Sequence, residues 1–572
     1  MFHRRASRIP QLLAISALLL AIAAGRAPAP AAEPDWPARL RYRLLLLPGT
    51  SLASDSRLEA AREQLRRAAP AGYNAVLLGA SADLVQPHRA GDEYLARLAA
   101  FAEEARRLGL AVIPAVMPFD APNLVLPFDP HLAEGLPVRD VLYVAQQGEA
   151  RFLPDRPVQL VNAGFEIGGP NAIPGWQTAG LAAGRSITID SSQATYGNSS
   201  LCLQNAAQRK PNLAYRAKQQ LRLPPFRLLR ARVWLKPNAP QDAARVFVTI
   251  RNAAGSLAFR HAPAAQSADW QPIELVFNTL EGGRSELWLA LYDSQSQAHK
   301  VWFDELTIED LGVCRPIRRP GCPIVVRNER GRAYDQGRDF QPIDEQLAWR
   351  PGEGLAGDCQ PLPLRLTRKT RIRPGERLRI DYYSPVYSPA DRTSVCINSD
   401  RAYDFFAAGT AALQPVLSPL GYLLATRYIG TANWDAACRA TRKPPGAQWG
   451  DSLRRQLEIL ASPGRPPLVF AWSDMYEPWT NPHRQFHVSN GSFEDACRFL
   501  PKDVILVNAN HAADDGKSPR FFAAAGYRQV IAGGAALGEW LRANAEMPGI
   551  VGVINTDAPL DTFAASAWGS PK

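Results

Sequence analysis

The stretch LVFAWSDMYEPWTNP, from Leu468 to Pro482, decides how the rest of the chain is read. Its apolar run, Leu468 to Trp472, follows Pro466 and Pro467. A short continuous apolar run bordered by prolines predicts a fully buried strand of a parallel sheet. Ser473, Asp474, Met475, Tyr476, Glu477, Pro478, Trp479, Thr480 and Asn481 come directly after it. Acids, aromatics and an amide thus gather where a strand hands over to a loop. In α/β barrels and open α/β sheets, ligands sit at the carboxyl ends of strands. Flat aromatic faces with carboxylate and amide acceptors suit a sugar ring, which has apolar C–H faces and a rim of hydroxyls. The plainer reading is a core Trp472 beside solvated acids. Two acids and three large aromatics within eight residues are dense for an ordinary loop.

Outward from this stretch the same alternation recurs. Upstream, Arg43–Leu47, Ala75–Leu78 and Leu110–Val116 read as buried strands, with helices over Leu58–Ala68 and Glu93–Leu108 between them. Further on, helices are predicted over Asp400–Val416, Asp451–Ala461, Ser518–Ala525 and Leu537–Ala545. Strands are predicted at Gly421–Ala425, Asp503–Val507, Arg528–Ala532 and Ile550–Ile554. With Leu468–Trp472 that makes eight strands in an α/β pattern, which a (β/α)8 TIM-type barrel accounts for. A doubly wound sheet is the alternative.

Between the third and fourth strands the pattern breaks. From Val158 to Leu311 there is no long helical period. Short alternating runs replace it: Arg185–Ile189, Ser200–Leu203, Arg230–Leu235, Arg245–Ile250, Pro272–Phe277, Glu286–Tyr292 and Lys300–Ile308. Many short strands separated by Gly, Pro and Asn predict an all-β sandwich. Trp176, Trp234, Trp270, Trp288 and Trp302 fall within it and are expected mostly in its core. Residues 312–390 are rich in Arg, Pro and Gly and read as a small β-rich extension. The expected organisation is a first barrel part at 38–157, the sandwich at 158–311, the extension, and a second barrel part at 391–572.

The totals exclude some classes. A chain of 572 residues is too long for one core. Its net charge of +11 contains no Lys/Arg run dense enough for a nucleic-acid footprint. Arg4, Arg5 and Arg8, the apolar Leu12–Ala24 and a small-residue site at Ala29-Pro30-Ala31 predict a signal peptide over residues 1–31. The protein is therefore expected to be secreted or periplasmic, with no membrane span after cleavage. Of the seven Cys, Cys314, Cys322 and Cys359 are near enough in sequence to yield one bridge. No Cys/His spacing resembles a zinc site, and His483 and His487 sit beside Pro482 in a predicted loop. There is no phosphate loop, no G-x-S-x-G elbow and no dinucleotide fingerprint.

Two resemblances add to this. Asn162-Ala-Gly-Phe-Glu166, Pro174-Gly-Trp176, Gly197-Asn-Ser-Ser-Leu-Cys-Leu203 and Trp302-Phe-Asp-Glu-Leu306 resemble the carbohydrate-binding jelly rolls appended to polysaccharide-degrading enzymes. That resemblance implies a structural calcium shared by Glu166 and Asp304, whose oxygens suit a hard cation. The barrel halves resemble bacterial glycoside-hydrolase-like proteins distantly related to the family-20 hexosaminidases. The matching pieces are His131–Val138, Thr370–Gly375, Asn433-Trp434 with Ala437-Cys438-Arg439, Trp472–Tyr476 and Phe522 with Gly526–Gln529. Those relatives carry an Asp-Glu pair shortly before the Asn-Trp, the Glu protonating the leaving oxygen. Here Arg427-Tyr428 stand in its place. The resemblance also leads one to expect Gly-Tyr-Tyr-Asp near the seventh strand and a Thr-Thr-Trp-like run after the last. This chain has Gly533-Gly534-Ala535-Ala536 and Asn555-Thr556-Asp557.

The reading that follows is an exported glycan-binding protein of glycoside-hydrolase-like fold whose catalysis has degenerated. An oligo- or polysaccharide is its expected partner, and its chemistry needs no cofactor. Asp474, Tyr476, Glu477, Trp479, Arg427, Tyr428, Asn508 and Asn510 are the expected binding residues, with His511 beside them. An active hydrolase would instead use Asp474, Glu477 and Asp557. A structural envelope protein, docking another protein through the sandwich, is the remaining alternative.

Overall fold

The computed structural model describes residues 40–568, apart from 170–171, 180–186, 205–213, 244, 263–266, 293–298, 350–358, 387–391, 462–466 and 482–487. The expected signal peptide, Arg185, His483 and His487 lie outside the described residues. No described helix is long and apolar enough to cross a membrane.

Eight parallel strands close into a barrel. They are β1 (Tyr42–Leu47), β2 (Ala75–Leu78), β3 (Ala111–Val116), β4 (Tyr422–Leu424), β5 (Val469–Trp472), β6 (Ile505–Asn508), β7 (Gln529–Gly533) and β8 (Ile550–Asn555). These are the eight runs the sequence marks. β3 pairs directly with β4 across the insert, and β8 pairs with β1 to close the ring. Alternate side chains fill the interior: Tyr42 and Leu44, Ala75 and Leu77, Ile113 and Ala115, Phe470, Ile505 and Val507, Val530 and Ala532, and Ile554. The barrel is thus a packed core with its openings at the strand ends.

The residues between face a ring of helices. These are α1 (Asp55–Ala68), α2 (Asp92–Arg107), α3 (Asp400–Leu417), α4 (Pro445–Leu460), α5 (Lys517–Ala524), α6 (Leu537–Ala543) and α7 (Leu560–Trp568). α1 shows why such segments form. The Ser54 hydroxyl accepts from the Arg57 backbone N–H at 3.4 Å, and Asp55 sits in the first turn. Leu58, Ala61, Leu65 and Ala68 recur at helical spacing and bury one face. Between β5 and β6 a single turn, Ala496–Phe499, stands where a helix would complete the alternation.

The insert holds two antiparallel five-stranded sheets. One orders Gln271–Asn278, Leu228–Pro237, Lys300–Asp310, Ser200–Gln204 and Ile187–Asp190. The other orders Gly255–His261, Val246–Asn252, Gly283–Tyr292, Ala214–Leu223 and Gln177–Ala179. Val233, Leu235, Ile250, Phe277, Leu289 and Phe303 bury their side chains between them. Trp176 and Trp302 are buried, but Trp234, Trp270 and Trp288 are only half-buried, against the expectation that most of these tryptophans are core.

One expected boundary differs. Leu136–Ala145 and Glu149–Phe152, assigned from sequence to the first barrel part, join a six-stranded sheet with Leu364–Arg365, Arg377–Ser384, Val325–Asn328 and Ala333–Tyr334. Leu136–Ser384 and Tyr143–Leu378 are among the antiparallel pairs. Arg139 and Asp140 interrupt the first of these runs, Leu136–Ala145, and no strand is predicted over either run from sequence. A Cys314–Cys359 disulfide, with Cα atoms 5.9 Å apart, braces this sheet.

Candidate functional site at the barrel mouth

The carboxyl ends of β3, β4, β5 and β6 bring their loops together. After β5 the chain makes one tight turn, Ser473–Tyr476, instead of a helix. That turn aims Asp474 and Tyr476 in different directions. Asp474 is fully buried and faces the loop after β4. Its Oδ1 accepts from the Tyr428 hydroxyl at 2.7 Å, from Arg427 at 3.2 Å and from the Asn510 amide at 3.3 Å. Its Oδ2 accepts from Arg427 Nε at 3.2 Å. The guanidinium therefore grips the carboxylate with two nitrogens, the planar match that Arg makes and Lys does not.

Glu477 is also fully buried. It accepts from Ser473 Oγ at 2.9 Å, Ser518 Oγ at 2.5 Å and Asn510 Nδ2 at 3.0 Å. Asn510 thus bridges the two acids. Asn508 lies beneath, donating to Ser518 Oγ at 2.8 Å and to Gln529 Oε1 at 3.0 Å. The fourth-strand loop is fixed from the other side by Asp120. Its Oδ2 accepts from the backbone N–H groups of Arg427 and Tyr428, at 2.7 and 3.0 Å. Asp120 was not singled out from sequence, because it lies in an ordinary Pro-Phe-Asp-Ala turn.

Burial works against the Arg427 charge, but the Asp474 carboxylate more than offsets this and raises its pKa. Burial, then the bond to Asp474, raises the Tyr428 hydroxyl as well. Burial also raises Asp120, against the two backbone donors. The surface this network presents to solvent combines Arg427, with 40% of its side chain exposed, and the partly exposed Trp472, Tyr428, Asn510 and Asp120. The guanidinium carbon lies 4.7 Å from the Trp472 ring centroid.

The other expected binding residues fare differently. Tyr476 is not at the mouth: it is fully buried in the core between barrel and helices. Asn508 is buried and engaged below the surface. Trp479 packs edge-on against Phe521 at 5.2 Å, with Lys517 Nζ 4.0 Å from its centroid, so it caps α5. His511 is half-buried against Trp540, at 5.3 Å between ring centroids. Asp557 is exposed beside Gly534, and no hydrogen bond or ion pair joins it to Asp474 or Glu477 among the described residues.

In the sandwich, Glu166 accepts from the backbone N–H groups of Asn198 and Ser199, at 3.0 and 3.3 Å. Asp304 accepts from Thr195 at 2.8 Å, Tyr196 at 3.3 Å and Glu305 at 2.8 Å. Burial first, and then the charge of Glu166 among other neighbours, act on Asp304 to raise its pKa; Glu305 is raised by burial and by both acids. Carboxylate oxygens suit a hard cation in type and charge, but among the described residues Glu166, Asp304 and Glu305 do not gather theirs into one ligand cluster.

The sandwich also carries a cleft of about 1320 Å³ whose lining includes Gln177, Gln220, Arg222, Arg251, Arg284 and Glu286. Beside it, Trp288 lies between two guanidiniums, Arg216 at 4.8 Å and Arg251 at 5.0 Å from its ring centroid. Arg222 and Arg284 are exposed and have no ion-pair partner among the described residues. This cleft was not read from sequence, since its residues come from five separate segments.

No family model and no curated protein matches the chain. Among solved structures, it is similar to TmCBM61, solved in complex with β-1,4-galactotriose, at 15% identity over 27% of this chain and 99% of that one, TM-score 0.22. It is also similar to the CBM22-1 xylan-binding domain from Paenibacillus barcinonensis Xyn10C, at 16% identity over 26% and 91%, TM-score 0.20. A third is a Family 16 Carbohydrate Binding Module-2, at 18% identity over 22% and 84%, TM-score 0.17. Likenesses this low say nothing of what this chain binds.

Proposed function

We propose that this is an exported glycan-binding protein built on a TIM-type, glycoside-hydrolase-like barrel that no longer hydrolyses. One observation carries the loss of catalysis. Asp474 and Glu477 are fully buried, and their oxygens are held by Arg427, Tyr428, Asn510, Ser473 and Ser518. Glycosidic cleavage needs a carboxylic acid within reach of the leaving oxygen. Asp474 is covered by the guanidinium that grips it, and Glu477 is turned inward to two hydroxyls and an amide. What reaches solvent is the Arg427 guanidinium, the Trp472 and Tyr428 rings, the Asn510 amide and part of Asp120, a surface for binding.

The ligand class follows from charge. Arg427 over Trp472 at the mouth and Arg222, Arg251 and Arg284 at the sandwich cleft favour an acidic polysaccharide, whose carboxylates pair with guanidinium groups. Calcium held by Glu166 and Asp304 would stiffen the sandwich without taking part in chemistry. A second reading, an active hydrolase, draws on the proximity of Asp474 and Glu477, which share the Asn510 amide.

A glycan array of acidic and neutral polysaccharides, run beside a panel of aryl glycosides, tests this. The expected result is binding to acidic glycans that is weakened by Arg427→Ala or by Arg222→Ala with Arg284→Ala. Release from every aryl glycoside stays at background, since a positioned general acid supplies about 10²–10⁴-fold in rate. Turnover that disappears in Asp474→Ala establishes the hydrolase reading instead. A blank glycan array favours the envelope-protein alternative.

A further inference from the structure

Four buried side chains converge inside the molecule: Glu134, Cys396, Asp435 and Cys438. All four are fully buried, and one donor atom from each lies within 4.8 Å of every other. We propose that they form a structural site for a thiophilic divalent cation, zinc being the ion that suits two thiolates and two carboxylates.

The distances carry this. Zinc binds sulfur at about 2.3 Å and carboxylate oxygen at about 2.0–2.2 Å, so the edges of its tetrahedron measure about 3.4–3.8 Å. Here Cys396 Sγ and Cys438 Sγ are 3.5 Å apart. Cys396 Sγ is 3.3 Å from Asp435 Oδ2, and Cys438 Sγ is 3.3 Å from Glu134 Oε2, thiol hydrogen-bond distances a few tenths of an ångström short of such an edge. Each carboxylate thus turns one oxygen to a sulfur.

The other oxygens are fixed in place. Glu134 Oε1 accepts from the backbone N–H of Trp434 at 2.7 Å and of Asp435 at 3.2 Å. Asp435 Oδ1 accepts from the Cys438 N–H at 2.9 Å, capping the short helix that carries that cysteine. Outside the ligands, Asn398 Nδ2 donates to Cys438 Sγ at 3.2 Å, and Arg319 donates to Asp435 Oδ2 at 2.7 Å. Oriented ligands with their own hydrogen-bonded neighbours are what metal sites require.

Charge points the same way. Two buried carboxylates face a single guanidinium, that of Arg319. Buried charges need a partner or a metal. Zinc binding would release the thiol protons and leave two thiolates on the ion. The ligands come from segments near 134, 396 and 435. Arg319, whose side chain also donates to the carbonyls of His131 and Ala133, ties in a further segment. The ion would join the start of the insert to the segment that leads back into the barrel.

The test uses the full chain, without a metal-affinity tag and purified without chelators. Elemental analysis is expected to find one equivalent of zinc. After removal and exchange, cobalt(II) is expected to give a thiolate-to-cobalt charge-transfer band. Cys396→Ser and Cys438→Ser should each abolish that band, and Asn398→Ala should weaken zinc binding about 10–100-fold. Where a cysteine variant fails to fold, the metal content of the unaltered chain still decides. A Cys396–Cys438 disulfide in its peptide map overturns the proposal. So does reduced protein that takes up no zinc.

Discussion

Arg427 shows what one residue does to a barrel mouth. Two of its nitrogens hold the Asp474 carboxylate and make that acid half of an ion pair. Removing one partner of a buried pair costs about 3–5 kcal/mol. Solvent reaching the 40% exposed Arg427 trims the expected cost of Asp474→Asn to about 1–3 kcal/mol, read as a lower urea midpoint with unchanged slope. Equal midpoints would mean that the pair contributes nothing. A second residue gives a pH signature. Glu104 on α2 has its carboxyl pulled from 4.5 down to about 2, chiefly by Arg107 and, with burial opposing, by Arg66 of α1. A depressed acid stabilises the fold above its unfolded pKa and loses that contribution as pH falls through the folded one. Glu104→Gln should therefore melt below the unaltered protein at neutral pH, and the gap should close between pH 4.5 and about 2. A gap that stays constant over that window would rule out the linkage. Sequence placed Asp474, Glu477 and Arg427 near one another but misplaced Tyr476. A tight turn after a strand sends neighbouring side chains opposite ways, and no spacing rule tells which one faces in.

Among the elements, the barrel strands were legible because each is a short apolar run between helical periods. Three sandwich strands were not. Ala214–Leu223 reads AYRAKQQLRL, with Gln219 at a position that faces the core. Gln219 is buried because both ends of its amide bond Val161: the side-chain oxygen accepts from its N–H at 3.0 Å, and Nε2 donates to its carbonyl at 2.7 Å. A polar residue doing backbone work hides the alternation that betrays a strand. Gln219→Leu restores that alternation yet removes both hydrogen bonds to the backbone of Val161. Its expected cost is about 1–3 kcal/mol in spite of the added apolar surface, measured by thermal unfolding beside Gln219→Glu. A Leu variant as stable as the original would mean that water replaces the lost bonds. The strands within Leu136–Phe152 are not predicted from sequence, and their residues fall inside the expected first barrel part; apart from each other, their partners lie more than 200 residues away.

For the whole molecule, a barrel interrupted after its third strand by a sandwich was open to reading, while a small sheet with strands from both sides of the sandwich, and sites assembled from distant segments, were not. Calcium is tested at this scale. If Glu166 and Asp304 hold the ion, a calcium chelator should lower the melting temperature of the full chain, and Glu166→Gln or Asp304→Asn should remove that response. An unaltered protein indifferent to the chelator carries no such ion. The pairing of β1 with β8 and of β3 with β4 also has a consequence in time. Roughly 300 residues separate β3 from β4. At about 5–20 residues per second, a ribosome takes about 15–60 s to make them. Throughout that interval β1 to β3 are a three-stranded fragment with both edges bare, the form most prone to pair with another chain. One edge waits for β4 and the other for β8. Whatever keeps the three strands apart until both have been made also keeps those edges from pairing elsewhere.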